Sequence, residues 1–120
     1  MRLRTADPSS DMSVNSRQKG ARYERELAKH FRGEGYDSRR GVQYKGGPDS
    51  PDVVGLPGIH IEAKHVERLN LYDAMAQSIR DASPDELPVV IHRRNREESL
   101  VTMSLDNWLK LYKAWERSTK

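Results

Sequence analysis

Between Ile59 and Lys64 the chain alternates strictly. Ile59, Ile61 and Ala63 fall on one side of an extended backbone, and His60, Glu62 and Lys64 fall on the other. A helix would scatter these residues around its axis, so the segment predicts a half-buried β-strand whose polar face carries an acid and an amine two residues apart. A chain of 120 residues builds one modest core, which predicts a single domain. Apolar residues make up 35% and charged residues 32%, so that core is small and the surface dense with ions. No run approaches the roughly 18 apolar residues of a membrane span. The first residues, Met1 to Pro8, lack the apolar stretch of a signal peptide, and the expected location is the cytoplasm, away from membranes. The chain has no cysteine. That excludes disulfides, a thiolate nucleophile and Cys-based zinc sites, and leaves carboxylates, imidazoles and carbonyls to hold any metal.

Around the strand, the sequence predicts a mixed sheet flanked by helices in the order α-β-β-β-α-β-β-α, an α/β class of fold. Residues 1–16 are polar, contain a proline and show no apolar period; they read as a disordered arm, with the single domain spanning 17–120. Tyr23, Leu27 and Phe31 at four-residue spacing predict a first helix from Arg17 to Arg32, capped by Ser16 and stopped at Gly33 and Gly35. Strands are expected over 36–44, at Asp52-Val53-Val54, over 59–64, over 87–92 and over 100–103. A second helix begins at Asn70, with Leu71, Ala74, Met75 and Ile79 as its apolar stripe. The last helix, about 105–117, carries Leu105, Trp108, Leu109, Tyr112 and Trp115 on one side, and its aromatic residues suit core or dimer packing better than base stacking.

The 21 Lys and Arg against 18 Asp and Glu give a net charge of only +3, but the charge is uneven. Between Arg17 and Lys45 nine basic residues face four acidic ones, a local +5. Smaller clusters follow at Arg93-Arg94-Asn95-Arg96 and at Lys110, Lys113, Arg117 and Lys120. Neutralising phosphates supplies most non-specific nucleic-acid affinity, so this clustering fits a DNA or RNA surface, and solvated helix faces have similar compositions.

Chemistry concentrates on the alternating strand. Glu62 and Lys64 share one face, and a hairpin with Gly58 in its turn brings Asp52 beside Glu62. Two carboxylates converging next to an amine suit Mg²⁺, a hard cation that keeps several waters and takes one or two carboxylates together with a substrate phosphate. A Glu-x-Lys on a strand is also a common solvated face, and Asp52 after Pro51 also suits a turn. His60 lies on the same face as Glu62, whereas His65 should point to the apolar side; His30 and His92 read as surface and strand-end residues.

Pro51-Asp52, nine intervening residues and then Glu62-Ala63-Lys64 resemble the signature of the PD-(D/E)XK nucleases. In addition, Lys19-Gly20-Ala21-Arg22-Tyr23-Glu24-Arg25-Glu26-Leu27 resembles the first helix of archaeal-type and phage Holliday junction resolvases. The resemblance covers about Arg17 to Trp108. It implies a restriction-endonuclease-like core, a Mg²⁺-dependent endodeoxyribonuclease in which Mn²⁺ substitutes, a DNA substrate that is branched, and a homodimer of phage or prophage origin. Symmetric incision of a four-way junction also needs two sites related by a twofold axis, which a chain of this length supplies only in pairs.

Carried over by residue, the resemblance makes Asp52, Glu62 and Glu24 the metal ligands and Lys64 the lysine of the motif, with Gln77 near it on the following helix. Helical spacing agrees for Glu24, beside Tyr23, Leu27 and Ala28, while Glu26 points outward. Asp49, also preceded by proline, competes for the ligand role; Asp52 is preferred because Val53-Val54 continues it into a strand. The DNA-contacting set is Lys19, Arg22, Arg25, Arg39, Arg40 and Lys45, with salt bridges to Glu34 or Asp37 as the other role for the arginines. Other readings are a nuclease for flaps, forks or duplex, and a non-catalytic DNA-binding protein on the same fold.

Overall fold

A computed structural model describes residues 8–41 and 51–119, with side chains described from residue 16 onward. The elements follow the expected order: α1 (Pro8–Gly33), β1 (Arg39–Arg40), β2 (Val53–Val54), β3 (Ile59–His65), α2 (Leu71–Asp81), β4 (Leu87–Arg93), β5 (Leu100–Thr102) and α3 (Leu105–Ser118). They form one five-stranded mixed sheet, ordered β1-β2-β3-β4-β5. The β1/β2, β2/β3 and β4/β5 pairs are antiparallel, and β3 and β4 run parallel with α2 as their crossover.

α1 starts at Pro8, nine residues before the expected boundary, so Ser16 lies inside the helix and does not cap it. The region lacks an apolar period, but a proline suits the first helical turn, where its missing N–H removes no bond. At the other end Gly35 adopts φ 102° and Tyr36 N–H donates to Phe31 O at 3.1 Å, the glycine stop expected from the sequence. The expected strand over 36–44 is limited to Arg39–Arg40 among the described residues.

The core lies between α1 and the sheet. Tyr23, Leu27 and Ala28 pack on Val53, Ile61, Ala63, Val89 and Ile91, with Phe31 at the margin. Burying each large apolar side chain contributes about 1.5–3 kcal/mol, so this cluster fixes α1 against β3 and thereby sets Glu24 over the motif strand. Behind the sheet, α2 docks through Ala74 and Ser78, whose hydroxyl donates to Val89 O at 2.9 Å. Asn70 caps it, accepting from Asp73 N–H at 3.1 Å. The small pair 74/78 sits closest to the sheet, and Ile79, expected in the stripe, is exposed.

Two expectations about burial need correction. β3 is covered on both faces: His60 and Glu62 are 1% and 2% exposed, because α2 covers the side the alternation assigns to solvent. Parallel strands joined through a helix are ordinarily buried this way. Conversely, no residue of α3 is buried, so Trp108, Tyr112 and Trp115 are not core residues. They stack on one another instead, with ring centroids 5.5 and 5.7 Å apart.

Candidate active site

The β2–β3 hairpin brings the motif together. Gly58 takes φ 88° in its turn, a left-handed conformation that a side chain disfavours. Gly55, at φ 112°, leaves no room for a Cβ against the backbone of Asp37 and Ser38, so β1 and β2 approach closely only because it is glycine. Val53 pairs with Ile61, which sets Asp52 opposite Glu62 one step further along. Asp52 Oδ2 accepts from Ala63 N–H at 2.8 Å, which holds that carboxylate against β3 between Glu62 and Lys64.

Glu62 is the most buried acid of the group. Its Oε2 lies 2.9 Å from His60 Nε2, and Glu86 Oε1 stands 3.7 Å from His60 Nδ1. Burial pushes the Glu62 carboxyl above its usual value, and the Asp52 charge adds to this against the opposing effect of His60. For His60 burial acts downward, but the carboxylates of Glu62, Glu86 and Asp81 together outweigh it and hold the imidazole above the ordinary histidine value. Glu24 reaches the same charge cluster from α1. Its Oε1 accepts from Arg40 Nε at 2.8 Å. Burial and the nearby Asp52 and Glu62 charges raise its carboxyl in spite of that arginine. Lys64 Nζ donates to Gln77 Oε1 at 3.5 Å, so the glutamine of α2 stands at the motif lysine.

The structure therefore brings Glu24, Asp52, Glu62, Lys64 and Gln77 to one end of the sheet. Among the described residues no three Asp, Glu or His side chains close into a metal cage. The donor chemistry nonetheless fits a hard divalent cation: burial and the Asp52 charge raise the carboxyls of both Glu24 and Glu62, a strain that a bound cation would relieve.

The basic residues divide. Arg22, Arg25 and Arg39 are exposed. Lys19 Nζ lies 3.9 Å from Glu67, and Arg40 is bound to Glu24 rather than to Glu34 or Asp37. Lys45 and Asp49 lie outside the described residues. Glu26 is exposed, as expected, and His65 faces the α1 side with its ring 5.3 Å from that of Tyr23. Sequence reasoning missed the burial of His60 on Glu62. The alternation puts the two side chains on one face, two residues apart, but their burial depends on α2.

A family model described as "Phage putative PDDEXK endonuclease" matches residues 15–120. Among solved structures, that of Hjc, a Holliday junction resolvase from the archaeal hyperthermophile Archaeoglobus fulgidus, is similar over 71% of this chain and 72% of that chain. The two share 22% sequence identity, with a TM-score of 0.48. No curated protein matches the sequence.

Proposed function

The chain belongs to the phage PDDEXK endonuclease family, and on that premise we propose that this nuclease hydrolyses phosphodiester bonds of branched DNA, four-way junctions above all, as a Mg²⁺-dependent homodimer. The observation that carries the reading is the pinning of Asp52 by Ala63 N–H opposite Glu62, with Lys64 on the next outward position of the same strand. The helix motif Lys19–Leu27, which resembles that of junction resolvases, supports the branched substrate. Among the described residues no helix is long and apolar enough to cross a membrane.

Asp52 and Glu62, joined by Glu24, would hold the cation. When bound, it supplies Lewis-acid stabilisation of the charge that grows on the phosphoryl oxygens and eases deprotonation of a water. Lys64 lies beside the reacting phosphate, where its ammonium orients the attacking water and offsets developing negative charge. Gln77 accepts a hydrogen bond from Lys64 and steadies that ammonium. His60 fixes one oxygen of Glu62 and leaves the other for the metal. Water attacks phosphorus and gives up a proton to solvent as the new P–O bond forms, and the bond to the leaving sugar oxygen breaks, that oxygen taking a proton from solvent to become a hydroxyl.

Linkage between pH and metal gives a check that needs no substrate. Glu24 and Glu62 have folded-state values above their unfolded ones, so stability present at low pH is lost as pH rises through those raised values. A divalent cation reverses that loss. The rise in melting temperature on adding Mg²⁺ should therefore be negligible near pH 4.5 and grow with pH. At roughly a hundredfold excess over Kd it should reach about 2.7 kcal/mol, on the order of 10 °C. Thermal melts of wild type and Glu62→Gln across pH measure this, and a pH-independent Mg²⁺ effect shared by both proteins would count against the ligand assignment.

The substrate is tested by labelled, sequence-matched DNAs in Mg²⁺. An immobile four-way junction should be cut at least about tenfold faster than flap, fork or duplex, a difference of about 1.4 kcal/mol in transition-state binding. Equal rates on all forms would leave the nuclease and remove the preference. Tight junction binding with no cutting of any form would favour a non-catalytic DNA-binding protein.

A further inference from the structure

The cluster Arg93-Arg94-Asn95-Arg96 plays no part in the site described above, yet it has a defined place in the fold. β3 and β4 are the parallel pair, and their carboxyl ends lie side by side, with His65 opposite Arg93. In open sheets with parallel strands, ligands occupy the crevice beyond those ends. Here that crevice is a cleft of about 400 Å³ between the β3–α2 connection and the β4–β5 hairpin, lined by Arg68, Arg93 and Arg94 among others.

Of the three acids that line it, Glu67, Glu97 and Glu98, the first two are engaged. Glu67 Oε2 accepts from Asn95 N–H at 2.6 Å and lies 3.9 Å from Lys19, and Glu97 stands 3.7 Å from Arg94. Among the described residues Arg68, Arg93 and Arg96 have no such carboxylate. Arg93 Nε is buried without a hydrogen-bond acceptor. Arg96 lies on the same β4–β5 connection but outside the lining of the cleft, and holds a left-handed backbone, φ 66°, a conformation that residues other than glycine seldom adopt. Burial lowers the neighbouring His65 imidazole below its ordinary value, and the charges of Lys19 and Arg93 add to this against Asn95 and Glu26. A planar guanidinium with unused donors in a cleft is suited to a phosphate.

We propose that Arg68, Arg93 and Arg96 form a second DNA contact, a site for backbone phosphates beyond the carboxyl ends of β3 and β4. At about 3.3 Å per residue, His65 lies roughly 10 Å along β3 from Glu62, or about three phosphates of one strand at 3.4 Å each along the duplex axis. The hairpin thus grips the strand a few nucleotides from the bond being cut and sets its direction across the active site. The inference rests on the nuclease reading and extends it to a surface outside the family motif.

The test separates the two. Fluorescence anisotropy of labelled duplex and junction DNA, with Ca²⁺ in place of Mg²⁺, gives affinity as a function of salt for wild type, Arg68→Ala, Arg96→Gly and their double variant. Arg96→Gly keeps the left-handed backbone, and Arg80→Ala, on α2, removes one cation elsewhere. The slope of log affinity against log salt should fall by about one for each lost phosphate contact, so by about two in the double variant and not at all in Arg80→Ala. Circular dichroism melts confirm that each variant is folded. An unchanged slope in the double variant, whatever its affinity, overturns the phosphate site while leaving the nuclease reading intact. Wild type without salt-dependent DNA binding overturns both.

Discussion

Asparagine in place of Asp52 should leave a folded protein that binds DNA and cleaves it at least about 10²–10³-fold more slowly, the scale on which one preorganised electrostatic group acts. The substitution keeps size and shape, and its amide oxygen still accepts from Ala63 N–H, so the hairpin retains the bond that positions residue 52. Only the charge is lost. Removing it also relieves repulsion on Glu24 and Glu62, so stability should rise or hold in metal-free protein while catalysis falls. DNA affinity should be equal or slightly greater, since a negative charge has been removed from a phosphate-binding surface. The same change at Asp49 should leave the rate within a few-fold of wild type. Single-turnover cleavage of all three proteins decides between the two aspartates; a fully active Asp52→Asn would eliminate the assigned site.

The second large effect concerns assembly. α3 presents Leu105, Trp108, Leu109, Tyr112 and Trp115 with none of them buried. Leu105 also borders a cleft of about 390 Å³ formed with Leu71, Tyr72, Met75 and Ile79, so the exposed apolar surface continues from α3 onto α2. Next to it β5 is the last strand of the sheet, with Leu100 and Val101 exposed. Taking about 150–250 Å² for each aromatic side chain, a similar or smaller area for each Leu, Ile and Val, and their exposed fractions, the combined face is on the order of 800 Å². That is about the contribution of each partner to a stable interface, and more than the ~300–600 Å² of the largest patch on an ordinary monomer.

A twofold axis would set this face on its own copy and present two active sites to one junction. Trp108→Ala combined with Trp115→Ala removes two anchors of about 2 kcal/mol or more each. Both copies of a twofold dimer lose them, so association should weaken by roughly 10⁵-fold or more, halving the mass seen by light scattering at micromolar protein. The double variant should also lose paired incision and keep single nicks. Wild type that sediments as a monomer would remove the dimer, and a variant that remains a dimer would place the interface elsewhere.

What the sequence carried was local. Alternation from Ile59 to Lys64 gave the motif strand, and Gly58 with the ten-residue spacing brought Asp52 to Glu62, because strand period and hairpin register are short-range. The four-residue spacing of Tyr23 and Leu27 likewise placed Glu24 inward. Features that depend on partners distant in sequence were not legible. Burial of His60 and Glu62 follows from α2 closing over β3, and the Arg40–Glu24 pair joins β1 to α1, elements whose packing no local pattern reports. The apolar stripe of α3 was plain, but periodicity reports that a face is apolar and says nothing about what covers it. At the start of α1 the opposite holds: residues 8–16 have no apolar face to read, and the helix extends through them.

We propose that this carboxylate and lysine cluster is a metal-dependent junction-cutting site. The most direct test is a four-way junction, labelled on each strand in turn, incubated with wild-type protein with and without Mg²⁺ and resolved at nucleotide resolution. Symmetric nicks on opposing strands that appear only with Mg²⁺, and disappear in Asp52→Asn, are the predicted result. An uncut junction in Mg²⁺, or equal cutting in a metal chelator, would contradict it.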